Sequence, residues 1–317
     1  MAIVIPIILI VLGFVLLIKG ADFLVDGASN IAKKFHIPEI VIGLTIVSIG
    51  TSMPELFVSI TSALEGHSDI SIGNVVGSNL ANLLFILGVS AVIRRVRISK
   101  ETRKVDIPIC LFVTIVFMFL CNAGMDVSRV DAGVLLILFV MFIAYTIFTG
   151  IKGSKENFQN DSNEIEKSNT FKDIIWIVLG ILGLKFGGDL SVDNAVKIAE
   201  MFNWSEKLIG VTILAIGTSL PELVTSVSAA MKGKSDIAVG NIIGSNIFNM
   251  LFIIGVSAMI HPITYNVSYN MDMAILIFAT IILSIFPLIR PRNAINKENG
   301  ILYVFMYALY MVITFVK

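Results

Sequence analysis

Hydrophobic segments of membrane-spanning length recur along the chain, and short polar connections separate them. The first set lies near residues 2–20, 38–64, 70–93, 105–122 and 128–150, and the second near 172–190, 207–231, 237–260, 270–289 and 299–316. An α-helix needs about 20 apolar residues to cross the hydrocarbon core of a bilayer. The pattern therefore predicts an all-α polytopic membrane protein with ten transmembrane helices in two sets of five.

Polar segments mark the limits of these two sets. The stretch 151–171 is rich in Lys, Glu, Asp, Asn and Ser, which predicts a solvated linker. We therefore expect a first repeat over 1–150, a cytoplasmic linker over 151–171 and a second repeat over 172–317. The first and sixth helices are expected to continue towards residues 33 and 200. No basic segment precedes the first apolar residues, so we interpret them as a membrane helix rather than a signal peptide.

Composition supports a membrane protein and narrows its partners. The chain is 56% hydrophobic and 15% charged, whereas soluble domains carry about 25% charged residues. This apolar composition predicts the lipid bilayer as a partner. The formal net charge is zero, so no nucleic acid is expected to bind, and no obligate protein partner is evident. Cys110 and Cys121 share one apolar segment, which predicts inert packing side chains rather than a disulfide or metal site.

The two sets of helices contain copies of one sequence. Aligned at an offset of 167, residues 50–93 and 217–260 are identical at 26 of 44 positions without a gap. Duplication on this scale is typical of transporters that are built from structural repeats. The sequence therefore predicts two related halves.

The distribution of Lys and Arg predicts how the chain crosses the membrane. With the N-terminus outside, the cytoplasmic connections hold 18 of the 23 Lys and Arg residues and the outer ones hold five. Positive charge concentrates in the cytoplasmic loops of membrane proteins, so we expect a plasma-membrane protein with both termini extracellular. Because five helices separate the two copies, they should face opposite ways and form inverted-topology repeats.

A proline and a glutamate interrupt the second and seventh predicted helices at equivalent places. The first copy reads Gly-Thr-Ser-Met-Pro-Glu from Gly50 to Glu55, and the second reads Gly-Thr-Ser-Leu-Pro-Glu from Gly217 to Glu222. Proline has no amide hydrogen and its ring clashes with the carbonyl four residues earlier, so each helix should break there. Carbonyls before the break would lose their partners, which is tolerated at membrane depth beside protein or a water-filled cavity.

Carboxylates in the middle of apolar segments predict a cation site. A charged side chain is costly there and usually marks an ion or substrate path. In inverted repeats Glu55 and Glu222 should face one central site, where a divalent cation would neutralise both or one would stay protonated. Neighbouring oxygens would complete the shell, namely those of Thr51, Ser52, Thr218 and Ser219. An all-oxygen shell suits a hard cation rather than zinc or copper.

The third and eighth predicted helices each carry a polar stripe. Its members are Asn74, Ser78 and Asn82 in the first copy and Asn241, Ser245 and Asn249 in the second. Residues spaced by four lie on one face of a helix. Two interpretations stay open, namely hydrogen-bonded packing beside small residues and the wall of a cation site. The second is favoured for the deeper members of each stripe.

Other polar residues recur near helix ends. Asp22 and Asp26 match Asp189 and Asp193 at the same offset. They would either shape ion access or be solvated at the interface. Lys185 lies four residues before Asp189, and we expect it either to extend its charge towards the membrane surface or to form an ion pair with Asp189 within one helix.

The doubled motifs resemble the two alpha repeats of the calcium/cation antiporter superfamily, and most closely those of prokaryotic sodium/calcium exchangers. The resemblance is carried by residues 50–55 with 73–79 and by 217–222 with 240–246, and it extends over nearly the whole chain. It implies a ten-helix exchanger with four clustered cation sites near the midplane. It implies no cofactor, because Ca²⁺ and Na⁺ would be the transported substrates.

The resemblance also implies roles for particular residues. Glu55 and Glu222 would be the central calcium ligands, together with the backbone carbonyls of Thr51 and Thr218. Sodium would use the same glutamates with further oxygens from Ser52, Ser219, Ser78, Ser245, Ser48 and Ala215. Asn82 and Asn249 would line the middle site.

Two details of the motif bear on the coupling ion. Some relatives, including potassium-dependent ones, carry Asp where this chain has Asn249, which argues against potassium dependence. Proton-coupled relatives place an acid inside the motif at 240–246, and this chain has none there. Sodium coupling is therefore preferred.

The expected function is secondary active exchange of Na⁺ for Ca²⁺ by alternating access at a midplane site. The first alternative is a Ca²⁺/H⁺ antiporter, in which protons on Glu55 and Glu222 replace sodium. A cation channel is a second alternative, although two inverted halves in one chain favour a carrier. An enzyme is not expected, because the apolar segments offer no nucleophile with a base and orienting group.

Overall fold

Helices dominate the computed structural model, which describes residues 4–160, 170–202, 215–288 and 293–316. The first half contains α1 (Val4–Lys34), α2 (Glu39–Thr51), α3 (Met53–Leu64), α4 (Ser68–Ile93), α5 (Thr102–Gly124) and α6 (Arg129–Asn160). The second half contains α7 (Thr170–Met201), α8 (Ala215–Gly217), α9 (Leu220–Met231), α10 (Ser235–Ile260), α11 (Tyr269–Ile285) and α12 (Lys297–Val316). The predicted extension of the first and sixth helices is confirmed by α1 and α7.

The apolar helices are long enough to cross a membrane. Among the described residues, seven helices meet the length and hydropathy that spanning requires, or eight if α2 and α3 form one broken span. Many of their large apolar side chains face outwards, as for Phe119, which is 70% exposed, and Val130, which is 77% exposed. An apolar surface of this extent suits lipid rather than water. The chain is therefore a multi-pass membrane protein.

The stretch between the two sets of helices differs from the prediction. The sequence predicts a linker from residue 151, but α6 continues to Asn160 and α7 begins at Thr170. Residues 161–169 of the predicted linker lie outside the described residues. The apolar pattern stops at residue 150, yet Lys and Glu are good helix formers. The end of an apolar segment therefore need not be the end of its helix.

Glycines bring α1 and α7 into close antiparallel contact. Gly13, Gly20 and Gly27 recur every seven residues along α1. A Cβ atom added at Gly20 would lie 2.7 Å from the backbone nitrogen of Leu184, and one at Gly27 would lie 2.8 Å from the carbonyl oxygen of Asp173. Absent side chains let the two backbones approach in this way. The helices α1 and α7 therefore pack as a pair.

The helix α7 also contacts both helix breaks. A Cβ at Gly50 would lie 2.9 Å from Cδ1 of Ile181, and one at Gly217 would collide with the side chain of Val192. The first glycine of each repeated motif therefore leaves room for α7. A change in the position of α7 would act directly on the backbone of both breaks.

Small residues also hold α2 against α10. A Cβ at Gly240 would lie 2.9 Å from the Cα atom of Gly43, and one at Gly244 would lie 2.8 Å from the Cα atom of Leu44. This is the small-residue packing that the sequence predicts beside the polar stripe of the eighth helix. It brings the first half of the chain directly onto α10, which carries half of the candidate site.

Two short antiparallel ribbons join the halves outside the helices. Their strands are β1 (Val96–Arg97), β2 (Asp126–Val127), β3 (Ile263–Thr264) and β4 (Ala294–Ile295). The strand β1 pairs with β4, and β2 pairs with β3. The offset of 167 maps β1 onto β3, and β2 onto β4 to within one residue. Each ribbon therefore pairs a strand of the first half with a strand of the second half, and the offset of 167 relates the two ribbons.

Candidate cation-binding site

The two helix breaks share one backbone geometry. Ser52 has φ −86° and ψ 12°, and Ser219 has φ −89° and ψ 7°. A ψ near zero lies between the main helical and extended regions, and the chain bends by 50° between α2 and α3. Pro54 and Pro221 occupy the first turns of α3 and α9, where a missing amide hydrogen costs no helical bond. The predicted break before each proline is confirmed.

The breaks bring both glutamates into one buried place. Glu55 is 1% exposed and Glu222 is fully buried. Ser219 Oγ donates a hydrogen bond to Glu55 Oε1 at 3.3 Å, and Ser52 Oγ donates one to Glu222 Oε1 at 2.7 Å. Each half of the chain therefore holds the carboxylate of the other half.

Serines of the polar stripes join the two carboxylates. Ser78 Oγ lies 3.5 Å from Glu55 Oε1, and Ser245 Oγ lies 2.9 Å from Ser52 Oγ. All of these serines are buried. We name the set the carboxylate cluster; its members are Glu55, Glu222, Ser52, Ser219, Ser78 and Ser245. Hydroxyls of four different segments thus surround two acidic groups.

Several oxygen atoms near this cluster have no hydrogen-bond donor. Among the described residues, the buried atoms without a partner include Oε2 of Glu55, Oε2 of Glu222, Oδ1 of Asn82 and Oδ1 of Asn249. A buried acceptor without a partner costs about 1–3 kcal/mol. Four of them, in two pairs related by the repeat, fit cation ligands, because a cation would supply the missing interaction.

No conventional metal cluster accompanies these oxygens. Within the described ranges, no group of three or more His, Cys, Asp or Glu side chains is placed to hold a metal ion. The negative charge therefore comes from two carboxylates, and neutral oxygens must complete any shell. Such a donor set suits Na⁺ and Ca²⁺, which accept neutral oxygen ligands.

A pair of asparagines that sequence reasoning missed orients part of this shell. Asn79 Nδ2 donates to the carbonyl of Asn246 at 3.2 Å, and Asn246 Nδ2 donates to the carbonyl of Asn79 at 3.2 Å. Asn82 Nδ2 then donates to Asn246 Oδ1 at 3.1 Å, and Asn249 Nδ2 to Asn79 Oδ1 at 3.0 Å. These bonds occupy the amide nitrogens of Asn82 and Asn249 and leave their oxygens unbound. Their signals in the sequence were identity between the two copies and their place at the end of the motifs 73–79 and 240–246.

The outer asparagines of the stripes attach the half-helices to their neighbours. Asn74 Nδ2 donates to the carbonyl of Glu55 at 3.1 Å and to Ser59 Oγ at 2.9 Å. Asn241 Nδ2 lies 3.4 Å from the carbonyl of Glu222. For these two residues the structure shows the hydrogen-bonded packing interpretation. They hold the backbone of the glutamates rather than their carboxylates.

The backbone before the first break keeps some of its partners. The carbonyl of Ser48 accepts a bond from the amide of Ser52 at 3.0 Å and one from Thr51 Oγ1 at 3.2 Å. The expectation of a free carbonyl therefore does not hold at Ser48, because Pro54 removes only the bond to Gly50. The Ser48 carbonyl is a candidate ligand that is already engaged.

The two threonines of the predicted site, which are equivalent in the repeat, have different surroundings. Thr51 is buried and donates to Asn241 Oδ1 at 3.0 Å, whereas Thr218 is half-buried and lines a cavity. Ala215 begins α8, and its side chain lies outside the described part of the chain. The carbonyl roles of these three residues stay predictions.

A cavity of about 380 Å³ opens beside both breaks. Its lining includes Pro54, Val58, Asp189, Asp193, Thr218 and Pro221. Lys185 also lines it and pairs with Asp189 at 2.9 Å, which confirms the predicted ion pair within α7. The cavity connects acidic side chains of α7 with the backbone of the site, so it is a candidate access path for cations.

Comparison with known proteins assigns the chain to a family. The family model described as sodium/calcium exchanger protein matches residues 5–148 and again residues 172–316. The chain belongs to the sodium/calcium exchanger family. The match covers both halves, each of which contributes one glutamate to the carboxylate cluster. The resemblance drawn from the doubled motif is thereby confirmed.

Relatives of this exchanger family agree with the assignment over the whole length. The chain is 36% identical to sodium/calcium exchanger MaX1 of Methanosarcina acetivorans, with 97% of each chain covered. It is 33% identical to inner membrane protein YrbG of Escherichia coli, with 92% of this chain and 91% of that protein covered. The structure matches that of the sodium-calcium exchanger NCX_Mj with a TM-score of 0.85 and 32% identity over 98% of each chain. The protein is therefore a membrane antiporter of the sodium/calcium exchange type.

Proposed function

We propose that this exchanger moves Na⁺ and Ca²⁺ in opposite directions across the plasma membrane, by alternating access at a site between Glu55 and Glu222. One observation carries the proposal: two buried glutamates, each bound by a serine of the other half, keep an oxygen that no described residue satisfies. Buried acceptors of this kind suit a cation that is held for part of a cycle and then released.

The proposed ligands are those that the family resemblance implies, and the unpartnered oxygens of Glu55, Glu222, Asn82 and Asn249 support four of them. Calcium binds Glu55 and Glu222, with backbone carbonyls of Thr51 and Thr218 as neutral ligands. Asn82 and Asn249 face the middle of the site through their free oxygens. Sodium uses the same glutamates with additional oxygens of Ser52, Ser219, Ser78, Ser245, Ser48 and Ala215. Sharing the glutamates makes the two ions compete.

Competition couples the two fluxes. A site without cations leaves two carboxylates close together in an apolar barrier, where unpaired charges cost several kcal/mol each. The empty site therefore does not close over easily and cross between states. Only a cation-filled site changes its access, so the departure of one ion requires the arrival of the other.

The proposed architecture is ten transmembrane helices in two inverted repeats, over residues 1–150 and 172–317, with 151–171 between them on the cytoplasmic side. Support comes from hydrogen bonds that the offset of 167 relates, such as those between Asn79 and Asn246. The two ribbons support it as well, because each pairs a strand of one half with a strand of the other. The distribution of Lys and Arg favours extracellular termini. The proposal needs no cofactor and no protein partner.

The experiment is calcium uptake into vesicles that contain the purified protein. Sodium-loaded vesicles diluted into sodium-free buffer with radioactive Ca²⁺, at clamped pH, should accumulate calcium above its external concentration. Vesicles with equal sodium on both sides are the control and should not. Uptake that ignored sodium but followed a pH gradient would support a Ca²⁺/H⁺ antiporter instead. Calcium that only equilibrates would indicate a channel.

A further inference from the structure

Aspartates of α1 form ion pairs that tie this helix to the end of α9. Lys232 Nζ lies 3.0 Å from Asp22 Oδ1 and 2.8 Å from Asp26 Oδ1. Ser228 Oγ donates a further bond to Asp22 Oδ1 at 3.0 Å. We name these four residues the Lys232 cluster. It is a direct polar link between one member of the α1–α7 pair and the half-helix that carries Glu222.

The equivalent link on α7 does not form. The offset of 167 maps Asp22 and Asp26 onto Asp189 and Asp193, but it maps Lys232 onto Glu65. Glu65 is exposed, and a carboxylate would repel both aspartates. Among the described residues, Asp189 pairs with Lys185 of its own helix, and the cavity of about 380 Å³ lies beside it.

The Lys232 cluster and the cavity lie at opposite ends of the α1–α7 pair. Gly27, which follows Asp26, packs on Asp173, and Gly13 packs on Ser191, between the two aspartates of α7. Gly13 and Gly27 are 14 residues apart, which is ~21 Å of helix. The first helix break contacts α7 at residue 181, between these two levels. The Lys232 cluster therefore joins α1 to α9 on one side of the site, and the cavity lies on the other side.

We propose that the Lys232 cluster is a latch that closes the access path at its own end of the site and favours the state in which the cavity is open. The inference rests on the proposed function, since it assumes that access alternates. The ion pairs form only while α1 lies against α9, so they stabilise one of the two states. Among the residues that the structure describes, none is placed to form the equivalent ion pair with Asp189 and Asp193 in the other state, because Glu65 replaces the lysine.

The expected size of the effect follows from exposure. The side chains of Lys232, Asp22 and Asp26 are 28%, 35% and 43% exposed, so solvent screens the pairs substantially. Loss of the cluster should therefore shift the ratio of the two states by about threefold to tenfold. A shift of this size is measurable without loss of the fold.

Accessibility of two equivalent cysteines reports the two states. Val58 lines the cavity, whereas Thr225, its equivalent at the offset of 167, is fully buried. Val58→Cys and Thr225→Cys are introduced separately after Cys110 and Cys121 are replaced by alanine. The rate of modification by a neutral, water-soluble thiol reagent, whose entry does not depend on the charge of the cavity lining, is then measured on the purified full-length protein. The original protein should give a fast rate at 58 and a slow rate at 225.

Lys232→Met should raise the rate at position 225 and lower that at 58, each by about threefold to tenfold. Lys232→Arg should keep the original rates, because it preserves the charge. The matched control is Lys185→Met, which removes a lysine–aspartate pair inside a single helix. It should leave the modification rates at positions 58 and 225 unchanged. Unchanged rates in Lys232→Met, or equal shifts in Lys185→Met, would overturn the latch.

Charge exchange separates a latch from a general loss of stability. Lys232→Asp combined with Asp26→Lys should restore much of the original ratio, and Lys232→Asp alone should not. Glu65→Lys should create ion pairs with Asp189 and Asp193 and slow the reaction at position 58. Failure of the exchanged pair to restore the ratio would show that packing, not charge, holds α1.

The labelling assay distinguishes failure of the latch from failure of the proposed function, since it requires no transport. Shifted labelling in a protein that shows no sodium-driven calcium uptake would refute exchange and keep the latch. Sodium-driven uptake with unshifted labelling would keep exchange and refute the latch.

Discussion

Glu55 and Glu222 lie in nearly equivalent surroundings, whereas Lys232 and its repeat equivalent Glu65 do not. Both glutamates are buried, both follow a broken helix, and both accept a serine hydroxyl from the other half. Directly after the two half-helices, Lys232 forms ion pairs that join α1 to α9, whereas Glu65 follows α3 and is exposed. The centre of the molecule is therefore nearly symmetric, and its ends carry opposite charges. In the proposed mechanism the nearly symmetric centre binds the ions, and the difference between Lys232 and Glu65 favours one access path.

The centre itself departs from symmetry by a smaller amount. Ser52 holds Glu222 at 2.7 Å, whereas Ser219 and Ser78 lie 3.3 and 3.5 Å from Glu55. Thr218, next to Ser219, lines the cavity. One of the two looser contacts of Glu55, that from Ser219, thus comes from a residue beside the cavity lining. The two halves of one site are bound with different firmness in the same state.

The largest expected effect comes from breaking the symmetric centre. Glu55→Gln and Glu222→Gln should each reduce sodium-driven calcium uptake by at least about 100-fold, because removing one buried charge withdraws several kcal/mol of cation stabilisation. The two losses should be similar. Glu65→Gln, which removes an exposed acid of the same half-helix as Glu55, is the control and should retain uptake. Near-normal exchange in either central variant would contradict the assignment of the site.

The next largest effect concerns the close packing of α1 against α7. Gly20→Ala would place a Cβ atom 2.7–3.0 Å from backbone atoms of three residues of α7, and overpacking of this kind typically costs about 1–3 kcal/mol. The variant should melt at lower temperature in detergent, as monitored by size-exclusion chromatography after heating. The control is Gly133→Ala, where the added atom meets nothing within 4 Å. Equal melting of the two variants would show that α1 and α7 are not closely packed.

A smaller effect should follow from loosening the asparagines that face each other across the two halves. Asn79→Ala and Asn246→Ala each remove hydrogen bonds that orient Asn249 or Asn82, so we expect calcium affinity to fall about tenfold. Calcium titration by isothermal calorimetry measures it.

A second asparagine pair provides the control for this test. Asn122 and Asn270 also bond reciprocally between the halves, at 2.9 Å in both directions, but away from the carboxylate cluster. Asn122→Ala should lower stability and leave calcium affinity unchanged. An equal loss of affinity in Asn122→Ala would mean that the interface, and not the orientation of the amides, determines binding.

The smallest effect belongs to the cavity. Lys185→Met removes a half-exposed cation from the cavity lining, so cation uptake should rise by up to about twofold at low ionic strength and return to normal in high salt. Its stability should change by less than about 0.5 kcal/mol, as for other pairs within one helix. Lys197→Met, also on α7, is the control. A rise that persisted in high salt would exclude an electrostatic cause.

Several parts of this site could be predicted because they depend on local chemistry. Pro54 and Pro221 cannot donate a backbone hydrogen bond, so the breaks follow from residue type alone. Glu55 and Glu222 lie within apolar segments, where an acid requires a partner. Lys185 and Asp189 are four residues apart on one helix, so their pairing needs no knowledge of the fold.

Other parts could not be predicted because their partners are distant in sequence. Asn79 binds Asn246, and Lys232 binds Asp22, across most of the chain. The ribbons consist of two-residue strands, which are too short to leave a periodic pattern. The sequence predicted that carbonyls before the break would lose their partners, but at Ser48 the helical bond from Ser52 persists, because the proline acts only on the carbonyl four residues before it.

The sequence by itself determined the membrane setting, the duplication and the family, because apolar segment length, identity between copies and doubled motifs are properties of the chain. It also named the two glutamates. Only the tertiary structure decided which oxygens are left without donors, how the halves bind each other's carboxylates, and where Lys232 finds its aspartates. These features depend on which side chains meet, and close packing of α1 with α7 and of α2 with α10 brings them together. A repeated sequence can thus fold into halves that agree in their chemistry and differ in their contacts.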